Sequence, residues 1–332
     1  MKTTTVAVQT LSIPCHNRCR YCLLSWDGKP IGADYARSQA YARQFHNWIQ
    51  ENRPDLSFQF YFGYSMEHPN LPEAIDFMKA IGSPGGQFLQ LDGLAFRNKQ
   101  ETADYLAIAK SHGIRAINLT FYGTRDYHDR FAGRRGDFDY LMQILHTARS
   151  LDMDVSVGIP LTRENAHQSE QLLSVLTDAG VSPRFFIPHG EGRGATLEPV
   201  RLRQRDLETL PETVTQRLNS NAYRTDAAWL RLTSLPLPEK RMVALSLTPE
   251  NMDFFEKLPF CQTIRYLEEL DDAYYRALPP VPELLELYGD PDSDLLYSFR
   301  DLCMNYGRRF LSEHPSDVAD VTDERGCFSR RY

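Results

Sequence analysis

The sequence predicts an α/β protein with a parallel sheet, followed by a mainly helical C-terminal extension. Two observations carry this. From the start to about residue 190, strand-like and helix-like segments alternate, which places successive strands in parallel through right-handed crossovers. Past Arg193 the alternation stops and helical patterns dominate. At 332 residues the chain is long enough for one large domain, or one domain with a substantial appendage. Its 42% hydrophobic and 24% charged residues are ordinary for a soluble globular protein.

The elements follow in order. Thr5–Ile13 is an apolar run that reads as the first strand, Ser38–Glu51 as a helix and Ser57–Phe62 as the second strand. Leu71–Ile81 (helix), Gln87–Leu91 (strand), Lys99–His112 (helix) and Ala116–Phe121 (strand) come next. Asp137–Ser150 (helix), Val155–Pro160 (strand), Ala166–Ala179 (helix) and Arg184–Pro188 (strand) complete the series. Gly82, Gly113 and Gly180 stand where helix C-caps belong. Asp137 reads as the N-cap of its helix, entered through Gly136. In the extension, Leu202–Leu218, Asn251–Phe254, Ile264–Tyr275 and Leu295–Leu311 read as helices, with proline-rich joints at Leu235–Pro238 and Leu278–Pro282. Asp317–Arg331 reads as a polar tail. The expected division is 1–195 for the sheet region and 196–332 for the helical region.

Three of the six cysteines, Cys15, Cys19 and Cys22, lie directly behind the first strand. Their spacing lets a short loop wrap thiolates around three corners of a cubane [4Fe–4S] cluster and leaves the fourth iron open. A zinc site with a remote fourth ligand is the alternative. Function in a parallel sheet gathers at the C-terminal strand ends. Gly63-Tyr64-Ser65, Asp92-Gly93, Tyr122-Gly123, Pro160 and His189-Gly190-Glu191-Gly192 all follow strands at that edge.

Cys15-His16-Asn17-Arg18-Cys19-Arg20-Tyr21-Cys22, with the aromatic Tyr21 before the last cysteine, resembles the signature of the radical S-adenosylmethionine (radical SAM) superfamily. The resemblance implies a partial (β/α)6 TIM-like barrel over 1–195, with the helical region closing it. It implies a [4Fe–4S] cluster on Cys15, Cys19 and Cys22, and S-adenosylmethionine (SAM) chelated by the open iron. Reductive cleavage of SAM then gives a 5′-deoxyadenosyl radical that takes hydrogen from substrate. A reductant such as flavodoxin or ferredoxin is the implied partner. Tyr122–Asp129 with Gly133, Gly136-Asp137-Phe138-Asp139 and Leu161–Asn165 are similar to one branch. It holds the anaerobic sulfatase-maturating enzymes, peptide-modifying enzymes and the molybdopterin-precursor cyclase. The substrate implied is a peptide or protein side chain. A rearrangement or cyclisation of a small molecule is the second reading, and a non-catalytic Fe–S or zinc protein the other class.

Carried over position by position, the implied SAM contacts are Tyr21, Gly63, Tyr64, Ser65, Asp92, Thr120, Arg134 and Ile159. Arg134 is the expected partner of the SAM carboxylate, in competition with Arg130 and Arg135. The chain departs from the usual Gly-Gly-Glu-Pro after the second strand, having Phe62-Gly63-Tyr64-Ser65, so Glu67 is the expected stand-in for the glutamate. His128-Asp129 reads first as a hydrogen-bonded turn.

Other features exclude functions. A net charge of −7 argues against general nucleic-acid binding. The N-terminus lacks a signal peptide's apolar core and no apolar run is long enough to span a bilayer, so the expectation is a cytoplasmic protein. Cys261, Cys303 and Cys327 are widely spaced, and no Cys-x-x-Cys follows residue 22, which argues against a second cluster. Glu268, Glu269, Asp271, Asp272, Tyr274, Tyr275 and Tyr288 read as a solvated acidic face with its core aromatics. Arg193, Arg201, Arg203 and Arg205 read as a solvated stretch, with attraction of an anionic substrate as the alternative.

Overall fold

Strand and helix alternate as far as residue 186 in the computed structural model, which describes residues 2–11, 15–22, 32–61, 67–83, 87–190, 192–232 and 240–314. The first half runs β1 (Lys2–Thr10), α1 (Tyr35–Asn52), β2 (Ser57–Tyr61), α2 (Leu71–Ala80), β3 (Phe88–Gln90) and α3 (Lys99–Ser111). It continues through β4 (Ala116–Thr120), α4 (Arg125–Ala132), α5 (Asp137–Ser150), β5 (Asp154–Pro160), α6 (Ser169–Asp178) and β6 (Arg184–Phe186). Beyond a 3-10 segment at Gly192–Val200 come α7 (Gln204–Thr209), α8 (Glu212–Thr215), β7 (Tyr223–Arg224), α9 (Asp226–Leu230) and β8 (Lys240–Leu247). The last elements are α10 (Met252–Lys257), α11 (Phe260–Ala277), α12 (Val281–Tyr288), β9 (Tyr297–Ser298) and α13 (Phe299–Glu313).

Parallel ladders build a three-stranded sheet in the order β2-β1-β8 and a four-stranded sheet in the order β3-β4-β5-β6. Among the described residues no ladder joins β2 to β3, or β6 to β8. β7 and β9 form a separate antiparallel pair. The second half of β1 is buried at every position, as a central parallel strand covered on both faces must be. The helices of the β–α series bury apolar residues in the core beside the sheets. In α1 the buried stripe is Ser38, Tyr41, Ala42, Phe45 and Ile49, and the Asp34 carboxylate caps the helix by accepting from Arg37 N–H. Phe45 is fully buried and stacks on Phe260 at 4.6 Å, which ties α1 to α11. Burying such a ring contributes about 1.5–3 kcal/mol. One apolar core runs from Val6 and Phe60 through Leu119 and Leu145 to Leu247.

The α/β class and the parallel pairing of strands within each sheet agree with the expectation, and Gly82, Gly113 and Gly180 stand just past the C-caps of α2, α3 and α6. Several local expectations are corrected. Leu202–Leu218 is two short helices, because Pro211 ends one and starts the next. Asp137 lies inside α5, whose N-cap is Gly136; the cap is supplied by the Asp129 carboxylate, which accepts from Gly136 N–H at 2.6 Å and Phe138 N–H at 3.0 Å. His128-Asp129, read as a hydrogen-bonded turn, lies within the helix α4. The proline joint at 278–282 is the start of α12, with Pro280 as N-cap. The largest addition is β8, since the mainly helical extension gives a strand back to β1 with Val6 opposite Val243. The acidic face of α11 holds that strand: Arg241, 6% exposed at its side chain, pairs with Asp271 at 3.2 Å, Asp272 at 2.5 Å and Glu268 at 3.8 Å. Leu235–Pro238, Asp317–Arg331 and Cys327 lie outside the described residues.

Candidate functional site

The cysteine loop leaves β1 at its C-terminal end and is held there by backbone hydrogen bonds to the segment after β3, the end of α4 and the segment after β6. His16 N–H donates to Gly93 carbonyl at 3.0 Å, beyond β3. Arg18 and Arg20 N–H donate to Ala132 at 2.7 Å and Phe131 at 3.0 Å, the last carbonyls of α4. The segment after β6 closes the other side: Arg193 N–H donates to Cys22 carbonyl at 3.0 Å, and Arg193 Nε to Cys19 carbonyl at 2.9 Å. Helix ends and loops have carbonyls to spare, which is why they can hold a loop with no ladder of its own. Gly93 adds a close approach. Its φ is +74°, and a Cβ there would overlap Cys15 Sγ.

Beneath the loop lies a buried polar network. Asn17 Nδ2 donates to Asp137 Oδ2 at 3.1 Å, and His128 Nε2 meets the same oxygen at 3.1 Å. Tyr122 N–H donates to His128 Nδ1 at 3.1 Å, so Nδ1 is the acceptor and Nε2 carries the proton given to Asp137. Arg134 Nη1 donates to Leu94 carbonyl at 2.5 Å and to Asn17 Oδ1 and Asp137 Oδ1 at 3.3 Å, with its guanidinium 3.6 Å from the Phe96 ring centroid. His128 and Asp137 are wholly inaccessible to water, and their neighbours satisfy them. His128 is therefore structural, as the turn reading expected of it, although its partner is Asp137. Arg134, expected at the SAM carboxylate, has Nη1 engaged by these acceptors inside the protein.

Burial pushes the Cys15 thiol up to about 11, with Asp92, Cys22 and Asp137 adding to the shift against a backbone N–H from Asn17. Burial drives Cys19 up further, against a hydrogen bond from Tyr122. Metals bind cysteine as thiolate, so a cationic centre bound here would offset the cost that burial places on ionising these groups. Among the described residues no three His, Cys, Asp or Glu side chains converge where one metal ion could sit. A cubane asks less of them, since each thiolate meets a different iron. Three soft donors on one anchored loop, with the Gly93 cradle beside the first, fit such a cluster.

The residues expected near the cysteines are partly brought together. Asp92, buried beyond β3, accepts from Thr120 N–H at 2.8 Å and Thr120 Oγ1 at 2.7 Å at the end of β4, and from Gln90 Nε2. Burial pushes its carboxyl up to about 7 despite those bonds. Tyr21 packs edge-on against Tyr122 with centroids 5.5 Å apart, and its hydroxyl lies within reach of Thr120 and Tyr122. Ile159 is 1% exposed in β5, paired with Phe185. Glu67 is committed elsewhere, bonded to Arg97 at 2.6 Å and to Ala95 N–H. Gly63, Tyr64 and Ser65 lie outside the described residues.

The basic stretch is not simply solvated. Arg201 is buried against Asp301, 3.5 Å away, while Arg203 and Arg205 both reach Asp294. His189, at the β6 end of the site, meets Asp301 Oδ1 at 3.2 Å, and Gly190 N–H donates to the same oxygen at 3.0 Å. Cys261 is exposed and Cys303 buried. Sequence reasoning missed Tyr122, whose hydroxyl lies 3.0 Å from Cys19 Sγ, and Arg193 and Asn17 as anchors of the loop. The signal for Tyr122 was only its place after the fourth strand.

No protein-family model and no curated protein matches the chain. Solved structures do. SuiB of Streptococcus suis, bound to S-adenosylmethionine, aligns at 13% identity over 74% of this chain and 51% of that one, with TM-score 0.47. Coproporphyrinogen III oxidase (HemN) of Escherichia coli, a radical SAM enzyme, aligns at 13% identity over 74% and 64%, with TM-score 0.42. The enzyme anSMEcpe with bound AdoMet aligns at 12% identity over 56% and 52%, with TM-score 0.38. The chain thus spans about half the length of the first and third of these proteins, and 64% of the second.

Proposed function

We propose that the chain is a radical SAM enzyme whose Cys15, Cys19 and Cys22 hold a [4Fe–4S] cluster. The observation that carries the reading is the cysteine loop itself. Three thiols with the superfamily's spacing stand at the C-terminal end of β1, tied by backbone bonds to the ends of β3, α4 and β6, with Gly93 making room for Cys15 Sγ. When bound and reduced, such a cluster supplies one electron to the SAM sulfonium and so releases the 5′-deoxyadenosyl radical. The chain's own residues bind, orient and exclude water. Asp92, held by Thr120, accepts from an ammonium or a ribose hydroxyl in this reading. Tyr21 and Ile159 supply apolar walls for an adenine, and the resemblance alone assigns Gly63, Tyr64 and Ser65 to the SAM amino group. Arg134 serves the loop, orienting Asn17 directly through its Oδ1 and through their shared partner Asp137.

The branch resemblance favours a peptide or protein side chain as the substrate, with rearrangement or cyclisation of a small molecule as the second reading. A flavodoxin or ferredoxin of the reducing cytoplasm is the fitting electron donor. Among the described residues no helix is long and apolar enough to cross a membrane.

Anaerobic reconstitution with iron and sulfide tests the reading. The expected result is a cubane cluster whose electron paramagnetic resonance (EPR) signal changes when SAM is added. Replacing Cys15, Cys19 and Cys22 together by alanine should abolish both iron uptake and SAM cleavage. Unchanged iron content and cleavage in that variant would overturn the proposal, and zinc bound in preference to supplied iron would favour the non-catalytic class.

A further inference from the structure

The structure assigns Tyr122 a part in setting the reduction potential of the cluster, as the hydrogen-bond donor to the sulfur of Cys19. This rests on the cluster reading above and deepens it. Tyr122 Oη lies 3.0 Å from Cys19 Sγ. Between a free thiol and a phenol either group can donate. A cysteine bound to iron is a thiolate with no proton, so in the loaded protein Tyr122 is the donor. The pair is then a charge-assisted bond in a setting where water competes little, since Tyr122 is 1% exposed.

Tyr122 is placed for this by its surroundings and has little freedom to turn away. Its ring stacks on His128 (centroids 4.8 Å, 26° between planes) and on Phe131 (4.8 Å, 28°). Its N–H donates to His128 Nδ1 at 3.1 Å, and its carbonyl accepts from Asn165 Nδ2 at 2.7 Å. His128 is itself fixed on Asp137, the carboxylate that Asn17 of the cysteine loop also engages. The network that holds the loop thus also aims the phenol at one of its sulfurs.

A hydrogen bond to a cluster sulfur withdraws electron density from it. It stabilises the reduced, more negative state more than the oxidised one, and so raises the potential. In this chain the bond makes the cluster easier for a donor protein to reduce and a weaker reductant toward SAM. Tyr122 is therefore a tuning and positioning residue that acts through Cys19.

The test is Tyr122→Phe, which keeps the ring, its stacking and both backbone bonds and deletes only the hydroxyl. Full-length wild type and variant are reconstituted anaerobically, and their midpoint potentials are measured by EPR-monitored titration without SAM. The expected result is a more negative potential in the variant at equal iron and sulfide content. Equal potentials at equal cluster content would overturn the assignment. Should the variant take up no cluster, 3-fluorotyrosine placed at position 122 decides the matter. It is a stronger donor of the same shape, so the potential should rise; no shift would sink the assignment. A wild-type chain that takes up no cluster at all overturns the cluster reading instead, and is recognised before any potential is measured.

Discussion

At Gly93 a single missing methyl group separates folding from the metal chemistry proposed for the loop. The residue has φ of +74°, and any Cβ would collide with the sulfur of Cys15. Gly93→Ala is expected to cost about 1 kcal/mol in backbone strain, which the fold can bear, while displacing Cys15. Circular dichroism should then show a native-like spectrum, and reconstitution should show less iron per chain than wild type. Normal iron uptake would argue that Cys15 does not approach the cluster past this glycine. Asp301 illustrates the opposite case, a buried charge that serves the fold. Burial raises its pKa, but the hydrogen bond and charge of His189, with Arg201 and Ser298, outweigh this and hold it well below the usual carboxylate range. A carboxylate depressed in the folded state contributes stability that is fully present above its unfolded pKa of about 4. That contribution is lost as pH falls from there toward the folded value. Asp301→Asn should therefore flatten the acid limb of stability against pH, and Asp301→Ala should cost about 3–5 kcal/mol at pH 7. Denaturant unfolding across pH 3–7 measures both. That Cys15, Cys19, Tyr21 and Cys22 share one loop at the end of β1 was legible because they lie within eight residues of one another. The Asp301–His189 pair was not, because 112 residues separate its members and neither residue type is unusual alone.

Secondary elements were legible where one periodicity ran long enough to dominate. The stripe on α1 and the strands of the β–α series are of this kind. α4 escaped because it has only 8 residues, most of them polar, and its Thr124 N-cap makes no side-chain cap bond. Its worth lies in where it ends. Gly133 terminates the helix with φ of +66°, which leaves the carbonyls of Phe131 and Ala132 free to take the N–H groups of Arg20 and Arg18. β8 escaped for another reason. It is an isolated apolar run in a region of helices, and only a partner far away in the chain reveals it as a strand. Its attachment rests on Arg241, whose Nε also donates to Thr3 Oγ1 on β1 at 3.0 Å. Arg241→Met keeps much of the side-chain volume but leaves the acids of α11 facing each other without their cation. The expected loss is about 1–2 kcal/mol in chemical unfolding, because the acids left behind are partly exposed and water screens them. A loss under about 1 kcal/mol would mean that the ladder and the core hold β8 unaided.

On the scale of the whole molecule, the two parallel sheets bring their C-terminal strand ends toward the cysteine loop, and that convergence could be anticipated from topology. What topology could not supply was the extension's contribution on both flanks. α13 brings Asp301 to the segment after β6, and β8 completes the sheet beside β1. Net charge was informative in sign only. The −7 of the whole chain is compatible with a loop region rich in arginine, because the surplus acid resides elsewhere, α11 included.

The place of β1 between β2 and β8 has a consequence in time as well as in space. β1 precedes every other described element in the chain, yet its second neighbour is encoded beyond α9. Until then the strand that leads into the cysteines has one row of amide and carbonyl groups unpaired, the condition in which a nascent edge invites mispairing. Closing so long a loop is an entropic step that no local contact can hasten. The part of the sheet that leads into the cysteines is therefore among the last to be locked, because it waits on a strand encoded far beyond it.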